Sequence, residues 1–531
     1  MTEPRQDGPA PIPEGAPGGI PPYPGPAGGP PHPGPAGGPP PVVRLPQRLS
    51  PKVLLIDPVR MLPSLLLPLV GVLFVGGFSA RSYGYAAAGV VAAVVFSVIR
   101  WVTFTYEIVG DRLETKRSLV SRSVRTIPLE RIRGVDVSTP PMHRLLGLTV
   151  LKIDTGASGD TEEAKLAGVT LEEAERLKAV LLRRAAVPET HVTGAVPPSG
   201  PTERPIIDVP RRWLLYGPLS GAYLLTPFAF AGGAVGLAFQ WGDELGVSQD
   251  AAWTAGQWLW ERPYLLLAVA VLLVLAMPFT GGLMYAIFNW NFRLKRRDGY
   301  LVAERGLINR RSVSLESQRV RGYEIVDGLA ERWAGVARVW AIVTGLGDSE
   351  TRGQLLPDVP REVAFQVTRD AIGPYHAELR PHPPVARNRR LFRAVFPWLL
   401  LALVGAAGVW VAGTMLWWIL LVLALLLAGV GVPLGLDRYA SLGHGYDGVR
   451  VAVRSGSLRR AQAVVERRAV VGWRMRQTWF QRRAGVLTLI AGVGAGKGGY
   501  SAIDVSEAQA VEFPAEVTPE WLAPFLERAE P

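Results

Sequence analysis

Three long blocks of the chain contain almost no charge, and they constrain the fold more than any other feature. The first block, residues 61–99, has a single charged side chain, Arg81. The second consists of residues 213–241 and 263–292, and the third is residues 394–436; neither contains any charge. About 20 helical residues cross the hydrocarbon core of a membrane, so each block is long enough for two crossings. The sequence therefore predicts six transmembrane helices in three hairpins, over about 61–80 and 84–100, 214–240 and 263–288, and 396–412 and 415–435.

The charges between these spans predict the orientation of the protein. The loop 241–262 has four acidic residues and one arginine, whereas Arg293, Lys295, Arg296 and Arg297 directly follow the fourth span. Basic segments stay in the cytoplasm. We therefore expect a multi-pass protein of the cell membrane whose N-terminus, interspan segments and C-terminus are all cytoplasmic.

Several function classes find little support in the residues. The chain has no cysteine, and its six histidines are scattered without the spacing of a zinc site. The net charge of +12 is spread over the whole chain, so positive-inside sorting explains it better than nucleic-acid binding. The glycine-rich segment 491–501 lacks the first glycine and the final Ser or Thr of a phosphate-binding loop. We predict no enzyme activity, no metal and no cofactor.

A short phrase in the sequence occurs three times. LERIRGVD (129–136) is echoed by SQRVRGYE (317–324) at an offset of 188, and a weaker copy follows at an offset of 338. Two glycines 13 residues apart, with an arginine three positions before the second, recur in each copy. The repeated glycines are Gly134, Gly322 and Gly472, followed by Gly147, Gly335 and Gly485, and the arginines are Arg144, Arg332 and Arg482.

Each copy reads as a small β-rich unit closed by a helix. Segments with Val, Ile and Thr at every second position predict strands, and GVTLEEAERLKAVLLRR (168–184) predicts the closing helix. The Pro/Gly-rich N-terminus has too few apolar side chains to fold. The predicted organisation is a disordered tail 1–48, hairpin 49–100, domain 101–185, linker 186–212, hairpin 213–292, domain 293–376, linker 377–393, hairpin 394–436 and domain 437–531.

These motifs resemble a known family. IPLERIRGVDV and HRLLGLTVLKIDTG in the first copy, NRRSVSLESQRVRGYEIVDG in the second and ERRAVVGWRMRQTWFQRRAGVLTLIAG in the third are similar to the bacterial pleckstrin-homology-like (PH-like) membrane proteins, the YdbS/YdbT group. The resemblance covers nearly everything after residue 48. It implies three PH-like domains, each a small seven-stranded barrel with a C-terminal helix. Members of this group have been linked to envelope stress or bacteriocin defence, but the family has no established ligand or catalytic residue.

The sequence leaves two functions open. In the first, the protein is a scaffold whose three domains meet lipids, like chains or another membrane protein at the inner leaflet. Arg122, Arg310 and Arg460 are the candidate lipid or partner contacts, with a solvated strand edge as the simpler alternative. Arg144, Arg332 and Arg482 are expected to hold a loop by a salt bridge, and the repeated glycines to serve the backbone. The second function is a transporter or exporter of a peptide or lipid, which the spans support poorly because no acid or histidine lies within them.

Overall fold

The computed structural model describes residues 46–57, 79–118, 122–132, 134–155, 164–185, 203–221, 223–241, 249–345 and 353–525. The predicted first span and nearly all of the Pro/Gly tail lie outside these residues.

Helices and strands alternate along the described chain in the order that the repeats predict. The first third contains α1 (Ala80–Thr103), β1 (Phe104–Val109), β2 (Arg112–Ser118), β3 (Arg122–Pro128), β4 (Gly134–Thr139), α2 (Pro141–Leu145), β5 (Leu148–Asp154), β6 (Ala164–Thr170) and α3 (Leu171–Ala185). The second contains β7 (Glu203–Asp208), α4 (Thr226–Trp241), α5 (Gln249–Trp260), α6 (Pro263–Asn289), β8 (Arg293–Arg297), β9 (Tyr300–Arg305), β10 (Arg310–Glu316), β11 (Val320–Gly328), α7 (Leu329–Trp333), β12 (Val336–Val343), β13 (Gln354–Pro360) and α8 (Arg361–Ala371). The third contains α9 (Pro384–Ala412), α10 (Met415–Ala440), β14 (Gly443–Tyr446), β15 (Arg450–Gly456), β16 (Arg459–Glu466), β17 (Val470–Arg476), α11 (Trp479–Arg482), β18 (Val486–Val493), β19 (Gly499–Ser506), α12 (Glu507–Val517) and α13 (Pro519–Leu522). Short 3₁₀ turns occupy Leu129–Arg131, Arg211–Leu219, Ser317–Arg319, Arg467–Ala469 and Ala523–Phe525.

Four helices in the described part of the chain are long and apolar enough to cross a membrane: α1, α6, α9 and α10. The helices α9 and α10 pack side by side and are joined at Gly413, which has a left-handed φ of 59°. Close packing is possible because small residues lie between the two helices. A Cβ at Gly431, for example, would lie 2.5 Å from the carbonyl oxygen of Ala394.

The predicted span 214–240 is not one helix. A 3₁₀ segment over Arg211–Leu219 precedes α4, which has 16 residues and is too short to be a candidate span. Pro218 cannot donate an intrahelical hydrogen bond, and a Cβ at Gly217 would lie 2.8 Å from the Tyr285 side chain. The segment therefore folds back against α6. The loop expected over 241–262 contains the helix α5.

The three repeated domains share their sheets. The N-terminal strands of one domain and the C-terminal strands of the preceding domain form a single antiparallel sheet, in the orders β6-β5-β4-β10-β9-β8-β7 and β13-β12-β11-β16-β15-β14. At the two ends of the series, β1-β2-β3 and β17-β18-β19 form three-stranded sheets. Within a domain, its two sheet halves and its closing helix enclose an apolar core, which in the second domain includes Phe292, Leu315, Val339 and Val367.

The segment before each hairpin is tied to the domain after it. Gln47 pairs with Tyr106, β7 pairs with β8, and Arg380 pairs with His444. The tail predicted over 1–48 and the linkers predicted over 186–212 and 377–393 therefore contain residues that belong to the sheets. Short extended segments of this kind have little apolar periodicity, so they could not be predicted from the sequence.

Candidate functional site at the domain junctions

The first repeated glycine lies where one domain accepts a strand from the next. Gly134 faces Leu315 between β4 and β10, and Gly322 faces Val465 between β11 and β16, so the two junctions have the same register. A Cβ at Gly322 would lie 2.1 Å from the carbonyl oxygen of Val464, and a Cβ at Gly134 would lie 3.0 Å from that of Ser314. These glycines permit the strands to approach.

The repeated arginine makes the second contact of each junction. Arg144 Nη1 donates a hydrogen bond of 3.2 Å to the carbonyl oxygen of Leu307, and Arg332 Nη2 donates one of 2.8 Å to that of Ser457. Leu307 and Ser457 occupy the same place in successive copies. The sequence predicted that these arginines hold a loop by a salt bridge. Arg144 and Arg332 reach the next domain through these hydrogen bonds, and Arg332 also forms an ion pair with Asp437 at 2.9 Å.

The second repeated glycine lies three residues after that arginine, in the turn before the next strand. Gly147, Gly335 and Gly485 have φ values of 69°, 67° and 61°, a left-handed conformation that favours glycine, and no heavy atom lies within 4 Å of a Cβ placed there. The glycine is therefore needed for the turn that follows the short helix α2, α7 or α11.

The second junction is held by buried charge. Asp327 is almost fully buried on β11, and its carboxylate accepts hydrogen bonds from Arg460 Nε at 2.9 Å and Nη2 at 2.8 Å. Arg361 lies 3.4 Å from the same carboxylate. Lys497, from the β18–β19 loop of the third domain, pairs with Glu324 at 2.9 Å. The candidate contact Arg460 is thus neutralised inside the protein.

At the first junction the corresponding arginine has no facing acid. Arg310 occupies the position of Arg460, but it faces Thr139 where Arg460 faces Asp327. Arg310 is exposed and lines a cavity of about 470 Å³. Five arginines and one acid contribute to the cavity wall: Arg144, Arg293, Arg305, Arg310, Arg311 and Glu304. The acid is already paired, because Lys295 lies 2.8 Å from Glu304.

The electrostatics of this arginine cavity favour an anion. Burial, and to a smaller extent the neighbouring Arg311, lower the pKa of Arg305 to about 10. A cation that is deprived of water and repelled by a second cation is stabilised by a negative charge. The cavity is also lined by Trp290, the residue directly after α6, and Arg211 stacks over its ring at 5.0 Å. The arginine cavity therefore lies at the end of a candidate membrane span.

Of the three predicted contact residues, Arg310 lines the arginine cavity. Arg460 is engaged by Asp327, and the Arg122 side chain lies outside the described part of the chain, although its backbone begins β3. Arg305 and Arg311 were not singled out from the sequence. The repeat does align Arg305 with Arg117, so an arginine at this position could have been noticed. The alignment does not show, however, that Arg305 is buried.

The structure also brings together two histidines that are far apart in the sequence. His382 and His444 are buried, and His444 Nδ1 lies 3.1 Å from His382 Nε2. Burial lowers the pKa of His382 to about 4 and that of His444 to about 3. Within the described residues, no group of three or more histidine or acidic side chains is placed to hold a metal ion.

Comparison with known proteins agrees with this architecture. The sequence model of the bacterial PH domain family matches the chain three times, over residues 63–185, 247–371 and 399–513. The chain is similar to the UPF0699 transmembrane protein YdbT of Bacillus subtilis (strain 168), with 24% identity over 470 residues, which cover 84% of this chain and 92% of that protein. No solved structure matches the chain.

Proposed function

Because this chain belongs to the bacterial PH domain family, we propose that it is a non-enzymatic membrane scaffold whose three linked domains lie at the cytoplasmic face. We further propose that the arginine cavity between the first two domains binds the head group of an anionic lipid. The single observation that carries the proposal is the set of five arginines beside Trp290, at the end of α6. The acidic loop 241–262 and the basic residues after α6 support the cytoplasmic placement.

The shared sheets support the scaffold. Each junction joins two domains by a continuous strand pair, which supports a scaffold built from linked domains. The transporter alternative has no observation in its favour among the described residues.

The lipid proposal is tested on the full chain in mild detergent by native mass spectrometry with phosphatidylglycerol and phosphatidylcholine. An arginine near a membrane surface contributes about 1 kcal/mol toward anionic lipid, so Arg310→Gln should weaken phosphatidylglycerol binding about fivefold. Arg112→Gln is the matched control, because Arg112 is exposed on the first domain and does not line the cavity.

Equal binding of the two lipids would refute the lipid proposal. So would an Arg112→Gln variant that loses as much binding as Arg310→Gln, because the effect would then be that of overall charge.

A further inference from the structure

The strand β17 occupies the place in the third domain that β4 and β11 occupy in the first two. In the described part of the chain, β4 lies between β5 and β10, β11 lies between β12 and β16, and β17 is paired with β18 alone. Its backbone therefore presents an unpaired edge. Side chains on β17 are exposed, including Val471 at 69% and Met475 at 48%, whereas β11 is almost entirely buried.

The third domain carries the same attachment residues as the other two. Gly472 corresponds to Gly322, yet a Cβ at Gly472 would meet nothing within 4 Å, so the chain itself does not require glycine there. Arg482 corresponds to Arg332 and is exposed, with the same left-handed glycine turn after it at Gly485. At the other junctions these two features exist to receive the next domain's strand.

The charge of the β17 edge tells which strand fits. At the first junction Asp136 lies opposite Val313, and at the second Glu324 lies opposite Ala463. In the same register on β17, Arg474 occupies the position of Asp136 and Glu324. The incoming strand would place its counterpart of Val313 and Ala463 opposite Arg474. In this chain's own first domain, that incoming position on β3 is Arg125. Like charges directly opposite each other destabilise a strand pair. A second copy of this chain is thus disfavoured as the occupant.

The N-terminal tail fits the edge no better. Its tract 24–40 is built almost entirely of proline, glycine and alanine. Proline has no backbone N–H to donate to a sheet, so such a tract cannot continue the ladder.

We propose that β17 binds the edge strand of a PH-like domain from a different polypeptide, and that this strand carries an acidic residue opposite Arg474. The inference rests on the proposed scaffold function and specifies one of its partners. Main-chain hydrogen bonds would supply affinity, as in other strand additions, and the Arg474 pair would supply selectivity.

The test converts this chain's own β3 into the strand that the proposal describes. Arg125→Glu places an acid opposite Arg474, so the full chain should associate head to tail in detergent through β17 and β3. Exchanging repulsion for attraction in this cross-strand pair should lower the midpoint concentration of association about tenfold relative to the unaltered chain. Mass photometry over a concentration series measures this shift.

Register is checked by cross-linking, which is clean because the chain has no cysteine. The continued register places Met475 opposite Val124, so Val124→Cys together with Met475→Cys should form an intermolecular disulfide on the Arg125→Glu background. Adding Gly472→Ala, Arg482→Ala or Arg474→Glu to that background should restore the weaker association of the unaltered chain.

Two results would overturn the proposal. If the Arg125→Glu chain neither associates nor cross-links, and a peptide of residues 122–128 with the same substitution does not bind, β17 is not a strand-accepting edge. If the unaltered chain cross-links as readily as Arg125→Glu, the occupant is a second copy. No anionic lipid is added in these experiments. The association and the cross-linking therefore do not depend on whether the arginine cavity binds lipid.

Discussion

Gly322→Ala should destabilise the junction between the second and third domains, whereas Gly472→Ala, at the corresponding position of the third domain, should not destabilise the protein. In Gly322→Ala, the new Cβ would lie 2.1 Å from the carbonyl oxygen of Val464 and 2.9 Å from the Cα of Val465. Both obstacles are backbone atoms, so no side-chain rotation can relieve the contact. The strands β11 and β16 must separate, and their pairing extends from Gly322 to Gly328.

The size of the effect follows from these distances. Ordinary contact between non-bonded heavy atoms begins at about 3.5 Å, and overpacking of this kind costs about 1–3 kcal/mol. We expect the upper end of that range at Gly322. At Gly134 the contact distance is 3.0 Å, so the effect should be smaller. At Gly472 the space is open, and alanine should be neutral or stabilise the strand by about 0.5 kcal/mol.

The assay is thermal unfolding of the detergent-solubilised full chain, followed by tryptophan fluorescence. A loss of 3 kcal/mol should lower the Tm of Gly322→Ala by roughly 6–12 °C, with Gly134→Ala intermediate and Gly472→Ala unchanged. If Gly322→Ala has the same Tm as the unaltered chain, β11 and β16 do not approach as closely as described. If Gly472→Ala is equally damaging, the glycine serves its own strand and not an incoming one.

Two further predictions concern buried charge. The pKa values of His382 and His444 are lowered in the folded protein, so below pH 6.5 the unfolded chain binds more protons than the folded one. The free energy of unfolding should therefore fall as the pH drops from about 6.5 toward about 4. The loss should reach up to about 1.4 kcal/mol per pH unit for each histidine. His444→Gln should flatten the dependence of Tm on pH, and parallel curves for variant and parent would exclude the pair as the cause. Asp327→Asn leaves Arg460 buried without its carboxylate and should cost about 3 kcal/mol. Asp208→Asn, at an exposed ion pair, should change stability by less than about 1 kcal/mol, and similar Tm losses in the two variants would show that burial is not what matters.

The membrane segments and the repeats could be predicted from the sequence because both are recognised from residues that lie close together in the chain. Runs without charge indicated α1, α6, α9 and α10, and the turn between the last two falls at Gly413 as expected. The prediction of one continuous helix over 214–240 was wrong, because a 3₁₀ segment precedes α4 and hydropathy does not distinguish a 3₁₀ segment from an α-helix.

The joining of the domains could not be predicted in the same way. The repeat showed that Gly134 and Gly322 matter but not why, since the atoms that require them belong to another domain. Strand partners that are separated in the sequence by a candidate membrane span leave no periodic signal. The same limit applies to Arg310 and Arg460, which occupy one repeat position but differ because one faces Thr139 and the other Asp327.

The shared sheets impose an order on biosynthesis. When the ribosome has completed the first domain, the edge of β4 is exposed, because its partner β10 lies beyond the second hairpin. Synthesis at about 5–20 residues per second means that this edge waits on the order of ten seconds or more, until the hairpin has been inserted and β10 emerges. Each of the first two domains is therefore finished only after the next membrane segment has been made. A chain whose second hairpin inserts late keeps an unpaired β4 edge beside the membrane for that entire period, exposed to pairing with the wrong strand.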